Sequence, residues 1–375
     1  MGTRDRATAS WFYRNPKKTL AFTYVVFCFL FIAIDFVVSN IHKSSTDIDL
    51  YSAEHPIGHV HKNNFTCFYG LRFWNPFKNR IYFNNLGFRA AAAYNNTAVA
   101  GRELIFAVGD STTAALEVPL EESYPAVLAQ ELGSGYAVFN AGVRAYDTQQ
   151  VIIQYIEKLR KLRPAKIIYM ICANDLPHNV STDYGSEYVR YFGKGILGDD
   201  NEVSYIQPAR NAISPVKHWK RTFKVNFNLT SYACKLIVSV PSRLQINKPD
   251  ANPLKSKRSR DYYTEKNIQR MKELLTYFDA VTQKDGVALY VAFYPGFAQE
   301  PAAAESSQQY KAYRALKGFA AQRLGNTVFI PTVDIFLKQY KQNPDMPRLT
   351  FALDHHANEY GNRLLARVIA GYIQR

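Results

Sequence analysis

Transfer of an acyl group through a side-chain hydroxyl needs a nucleophile, a base to take its proton, a group to orient the base, and donors for the oxyanion. Ser111 is the candidate nucleophile. It follows Gly109 and Asp110 at the end of an apolar run, Leu104 to Val108. An unassisted hydroxyl is a poor nucleophile, so a base must reach it. His356, near the C-terminus, is the candidate base. Asp354, two residues earlier, could accept a hydrogen bond from the imidazole Nδ1, which would fix the tautomer and stabilise the imidazolium. A serine ahead of a helix also has a plainer reading, as the cap of that helix.

The elements around Ser111 can carry such chemistry. The run 104–108 is short, apolar and bounded by turn formers, which reads as a strand buried on both faces. A helical pattern follows over about 121–133. Ser111 is therefore expected just past the carboxyl end of a buried strand, where open α/β sheets build their sites. Strands are expected at about 136–141, 166–172, 287–294 and 327–330. Helices are expected at about 148–162, 264–283, 305–323 and 358–374. Strand–helix alternation with short links implies a parallel sheet with right-handed crossovers. The rhythm breaks over 176–262, which holds Tyr184, Tyr188 and Tyr191, a helical candidate at about 229–240 and the basic run Lys255–Arg260. That stretch reads as an insertion at the carboxyl edge, either a substrate-binding cap or a surface excursion.

Four blocks of residues change the reading of Ser111. They are Gly109-Asp110-Ser111, Asn140-Ala141-Gly142, Cys172-Ala173-Asn174-Asp175 and the segment Asp354–Gly361. In order, they resemble the four blocks of the SGNH (GDSL-type) hydrolase superfamily, over most of residues 80–375 apart from the middle stretch. The resemblance implies a flavodoxin-like three-layer α/β/α fold with a parallel five-stranded sheet. It implies catalytic Ser111, His356 and Asp354, with the Ser111 N–H, the Gly142 N–H and the Asn174 side-chain amide as oxyanion donors. Asn358 and Gly361 continue the last block in the usual way, which favours His356 over His355 as base. Two features depart from the common pattern. Asp354 and His356 are separated by one residue, a spacing similar to that of polysaccharide O-acetylation members. Cys172 stands where many members have Gly. Asn84-x-x-Gly87-x-Arg89 looks like a segment found ahead of the Ser block in many bacterial envelope members, and is read as structural.

The chain carries a formal charge of +15 over 375 residues. The basic residues are scattered and no nucleic-acid motif occurs, so the charge fits a surface near anionic lipid or polymer, with no nucleic acid as partner. Residues 1–18 are polar and basic, and 19–38 are apolar on all sides with one charge, Asp35. A run of that length can cross a hydrocarbon core of about 30 Å as a helix. It exceeds the usual core of a cleaved signal peptide, and its basic flank should stay cytoplasmic. The expected organisation is a cytoplasmic tail (1–18), a transmembrane helix (19–38), a membrane-proximal connector (39–102) and an SGNH-like domain (103–375) outside the cytoplasmic membrane. An anchored enzyme is confined to substrates near the membrane, such as acylated envelope glycans or lipids, and could work with envelope polysaccharide-modification partners.

No cofactor is implied, since no phosphate loop, dinucleotide fingerprint or zinc motif occurs. His55, His59 and His61 lie close together but lack a carboxylate partner, so they read as solvated loop histidines and not as a metal site. Cys67 and Cys234 could pair if the chain is exported. Asn64, Asn95, Asn179 and Asn228 match the glycosylation acceptor pattern.

Overall fold

The computed structural model describes residues 11, 15–41, 47–69, 79–180, 187–209, 219, 223, 262–351 and 355–375. Asp354, Cys234, Asn228, the helix expected at 229–240 and the basic run 255–260 lie outside the described residues. The chain divides into two compact units, Met1–Ser44 with Ser214–Pro249, and Ser45–Ile213 with Asp250–Arg375.

In the first unit the main element is helix α1, Pro16–Ile41. Pro16 opens it, a position where the missing N–H costs nothing. Its segment Pro16–Val37 is 22 residues long with a mean hydropathy of 2.4, long and apolar enough to cross a membrane.

The second unit begins with two antiparallel hairpins. Strand β1 (Tyr51–Glu54) pairs with β2 (Gly58–His61), and β3 (Phe65–Tyr69) pairs with β4 (Asn79–Phe83). Sequence reading treats this stretch as a connector without periodicity. The structure builds it into the same compact unit as the sheet, and Leu50, Tyr51, Ile57, Val60, Ile81 and Phe83 join the common core. Strand β2 lacks a clean alternation because it is covered on more than one side: all four of its residues are buried.

The main sheet holds β5 (Glu103–Gly109), β6 (Tyr136–Asn140), β7 (Lys166–Ile171), β10 (Ala288–Phe293) and β11 (Thr327–Ile330), all parallel, in the order β6-β5-β7-β10-β11. Numbered within the sheet this is 2-1-3-4-5, the flavodoxin-like order, as expected. Strands β5, β7 and β10 are buried almost throughout because helices cover both faces. Those helices are α2 (Tyr124–Leu132), α3 (Thr148–Glu157), α4 (Glu265–Lys284), α5 (Gln308–Arg323), α6 (Thr332–Gln342) and α7 (Glu359–Ile373).

Three differences from the expected elements have simple causes. The helix expected at 305–323 starts afresh at Ser307, whose side chain accepts from the Tyr310 N–H and caps α5. Helix α6 was not expected, although Val333, Phe336, Leu337 and Tyr340 bury one helical face at the right spacing. Within 176–262, the hairpin of β8 (Lys194–Leu197) and β9 (Val203–Ile206) packs on α3, with the Leu197 N–H donating to Gln149 Oε1. It is pinned by a buried ion pair, Lys194 to Asp147 at 2.5 Å.

Candidate active site

Three neighbouring strands, β6, β5 and β7, end on the same edge of the sheet. The chain leaves β5 for β6 on one side and later reaches β7 on the other, so the strand order reverses beside β5. Gly109 ends β5 with φ +148°, a conformation that disfavours a side chain. A Cβ there would also lie 2.5 Å from Thr113 Oγ1. Asp110 follows and caps the single helical turn Ser111–Ala114, accepting from the Thr112 N–H and Thr112 Oγ1, each at 2.8 Å. Its role is therefore to hold the turn. Ser111 is the first residue of the turn, so its own N–H has no partner inside it.

His356 Nε2 lies 2.8 Å from Ser111 Oγ, across 245 residues of sequence. Its loop is tightly tied. Thr350 and Ala357 form an isolated antiparallel bridge, the Phe351 N–H donates to the His356 carbonyl, and the Asn358 N–H donates to the Leu349 carbonyl. Asn358 then caps α7 by accepting from the Gly361 N–H at 2.8 Å. Gly361 must lack a side chain, because a Cβ would sit 2.1 Å from the Leu349 carbonyl oxygen. Asn362 Oδ1 accepts from the Tyr124 N–H at 2.9 Å, and Tyr124 Oη is 3.1 Å from Thr113 Oγ1. The base loop and the nucleophile turn thus share one hydrogen-bonded frame. His355 is exposed, with its carbonyl accepting from Tyr294 Oη, and it is His356 that reaches Ser111.

Gly142 follows β6 and presses on the nucleophile turn. A Cβ would come within 2.6 Å of the Ala114 nitrogen and of the Thr113 Cβ. Its N–H donates to Asn140 Oδ1 at 3.1 Å, while Asn140 Nδ2 donates to the Thr113 carbonyl at 2.8 Å. An oxyanion would have to share the Gly142 N–H with Asn140. Asn174 follows β7, and its Oδ1 is buried with no hydrogen-bond partner among the described residues. Asp175 folds the end of β7 back by accepting from the Cys172 N–H at 3.0 Å and from Tyr169 Oη at 2.9 Å. Desolvation, added to the nearby charge of Asp110, holds the Asp175 carboxyl well above the usual range. Desolvation likewise raises the Cys172 thiol, with Asp110 and Asp175 adding to it, so this cysteine is a poor thiolate.

Glu117 and Arg144, which sequence reasoning missed, lie next to these. Glu117, three residues past the nucleophile turn, puts Oε1 at 3.7 Å from His356 Nδ1 and is held by Arg144 Nη1 at 2.5 Å. Arg89, from the Asn84-x-x-Gly87-x-Arg89 segment, is buried beneath the nucleophile turn. Its guanidinium donates to the carbonyls of Ala114 (3.0 Å), Val118 (2.6 Å) and Ala115. Ala115, at φ +49°, breaks the helical turn and exposes those carbonyls to the guanidinium. Burial lowers the Arg89 pKa only to about 10, so the charge persists. The one signal available in sequence was Arg89 itself, an arginine spaced ahead of an apolar strand and read as structural.

The histidines of β2 need a correction. His59 and His61 are buried, not solvated. His59 Nε2 donates to the Arg144 carbonyl at 2.6 Å, and its ring stacks on Tyr188. Burial pushes the His59 pKa down to about 4 and that of His61 well below its usual value, so both rings are neutral at pH 7. Among the described residues, no group of three or more His, Cys, Asp or Glu is placed to hold a metal ion. Asn179 is buried and donates to Thr148 Oγ1, so this acceptor motif is not presented for glycosylation.

No protein-family model matches the chain, and no curated protein matches it. Solved structures do. An acetyl xylan esterase, AlAXEase, is 14% identical, with 72% of this chain and 99% of that one covered and a TM-score of 0.43. The acetylxylan esterase Axe2 from Geobacillus stearothermophilus is 14% identical, covering 74% of this chain and 96% of its own, with a TM-score of 0.42. A proposed lipolytic protein of the G-D-S-L family from Desulfitobacterium hafniense DCB-2 is 11% identical, covering 72% and 99%, with a TM-score of 0.37. Similarity at this level carries no inference about activity. The fold assignment rests on the strand order and the pairing of the sheet.

Proposed function

We propose that this chain is a membrane-anchored serine esterase that removes ester-linked acyl groups, acetyl above all, from envelope glycans or lipids outside the cytoplasmic membrane. The observation that carries the reading is the 2.8 Å approach of His356 Nε2 to Ser111 Oγ at the point of the sheet edge where strand order reverses. Ser111 Oγ attacks the ester carbonyl as its proton passes to His356 Nε2. The oxyanion faces the Ser111 N–H, and resemblance to the family blocks adds the Asn174 amide and the Gly142 N–H, the latter shared with Asn140 Oδ1. Collapse expels the alcohol, which takes the proton from His356, and leaves an acyl–Ser111 ester. Water then gives a proton to His356 as it attacks that ester; collapse releases the acid, and His356 returns the proton to the departing Ser111 Oγ. Asp354 orients His356 by resemblance to the family block. The apolar helix Pro16–Ile41 supports the anchor. The one-residue gap between Asp354 and His356, similar to that of polysaccharide O-acetylation members, supports a second reading in which a sugar hydroxyl replaces water as acceptor.

The test uses the full chain in detergent with p-nitrophenyl acetate and longer acyl esters, comparing wild type with Ser111→Ala. Turnover and labelling by a fluorophosphonate probe are expected in wild type and lost in the variant. An oligosaccharide that becomes acylated, detected by mass spectrometry, would make the enzyme a transferase. A folded wild type that neither turns over ester nor labels would sink the reading and leave a glycan-binding protein of this fold.

A further inference from the structure

We propose that Glu117 is a positioning residue for His356, a buried carboxylate on the Nδ1 side of the imidazole that stabilises the imidazolium during acyl transfer. The inference rests on the catalytic reading of Ser111 and His356. The two ring nitrogens of His356 face different partners: Nε2 faces Ser111 Oγ at 2.8 Å, and Nδ1 faces Glu117 Oε1 at 3.7 Å. At that separation the carboxylate acts through charge and not through a direct hydrogen bond, and it acts only when the ring gains its second proton.

The position of Glu117 is over-determined. Its side chain is 3% exposed, and a buried carboxylate is held in place by its partners. Arg144 Nη1 grips the same Oε1 at 2.5 Å. Arg144 in turn lies over the Tyr69 ring, and its carbonyl accepts from His59. On the other side, Arg89 binds the carbonyls of Ala114, Ala115 and Val118, which bracket Glu117 in the chain. The carboxylate is therefore delivered from the same segment as the nucleophile, with little freedom to leave.

Among the described residues, these groups face His356. From the nucleophile turn come Ser111 and, behind it, Asp110, whose Oδ2 is 3.4 Å from Ser111 Oγ. From the segment after it comes Glu117, with Arg144 beyond. Asp354, on the histidine's own loop, is outside the described residues. The buried Arg144, beyond Glu117, opposes a charged imidazole from this side, and the Glu117 carboxylate offsets it.

The experiment measures the His356 pKa directly, by NMR of histidine-labelled full-length protein in detergent, assigned with a His356→Asn variant. Wild type is compared with Glu117→Gln, and kcat/KM for an acyl ester is followed against pH in both. Glu117→Gln is expected to lower the His356 pKa, and the acid limb of kcat/KM, by about one unit. It is also expected to lower the plateau roughly tenfold to a hundredfold, because the imidazolium loses a counter-charge. Should Glu117→Gln fail to fold with Arg144 left unpaired, Glu117→Gln/Arg144→Met removes both charges and should shift the His356 pKa in the same direction by less. An unmoved His356 pKa in a folded variant would overturn the proposal and leave Glu117 as a partner for Arg144 only. The NMR readout needs no turnover, so an inactive wild type would count against the esterase reading while the titration still decides the role of Glu117.

Discussion

At the carboxyl edge of the sheet, Ser111, Asn174 and His356 are partly exposed polar side chains carried on turns; in the hairpin region of 51–89, His59, His61 and Arg89 are polar side chains buried outright. The first set stays partly open to solvent. The second set is spent on backbone: His59 donates to the Arg144 carbonyl and Arg89 to three carbonyls after the nucleophile. Polar residues in the two regions thus do different work. One region would perform the reaction, and the other holds the turn and the Glu117–Arg144 pair from behind. The hairpins belong to the site's frame even though none of their described residues hydrogen-bonds to the Ser111 side chain.

If that division holds, substitutions at the edge should remove activity and spare the fold, while those in the frame should damage both. The largest effect is expected at Ser111. Ser111→Ala should lower kcat by about 10⁴-fold or more with an unchanged denaturation midpoint. A large loss of stability in that variant would break the comparison. Next comes Arg89→Met, which leaves buried carbonyls without their donor and should destabilise by about 3–5 kcal/mol, read from urea unfolding, with activity falling too.

The pH dependence of stability is a milder probe of the frame. Because the His59 pKa is pushed down to about 4 in the fold, the unfolded chain takes up a proton near pH 6.5 and the folded chain does not. The contribution is whole above about pH 6.5 and is lost as pH falls toward 4, amounting to about 3 kcal/mol, with His61 acting in the same direction. Urea midpoints across that range should fall accordingly, and His59→Gln should flatten the slope. An unchanged slope would place His59 in water after all. The smallest effect is expected from Gly142→Ala. Its Cβ would crowd the Ala114 nitrogen and the Thr113 side chain, costing about 1–3 kcal/mol and displacing the Ser111 turn. Activity should fall more than stability, since the same contact aims the nucleophile.

The ends of the sheet strands were legible because each obeys local rules. A short apolar run closed by Gly109-Asp110, by Asn140-Ala141-Gly142 or by Cys172-Ala173-Asn174 announces both a buried strand and its turn. The cap of α7 was legible for the same reason: Asn358 accepts from the N–H three residues on, where Gly361 stands. The hairpins were not legible as part of the core. The residues of β2 are covered by elements distant in sequence, such as Arg144 and Tyr188, so all four are buried and no period marks that strand.

Composition and local pattern were therefore enough to determine the apolar N-terminal helix, the parallel α/β architecture, and the presence of a serine and a histidine on turns. Each depends on interactions within a few residues, or on hydrophobic periodicity along one element. Tertiary structure alone decided which carboxylate and which arginines surround the site. Glu117, Arg144 and Arg89 meet around His356 and the nucleophile turn only after the segment that follows β4 has been joined to the ends of β5 and β6. An ion pair has no local signature. It is specified by where three separate chain segments are buried, and that is a property of the packed molecule.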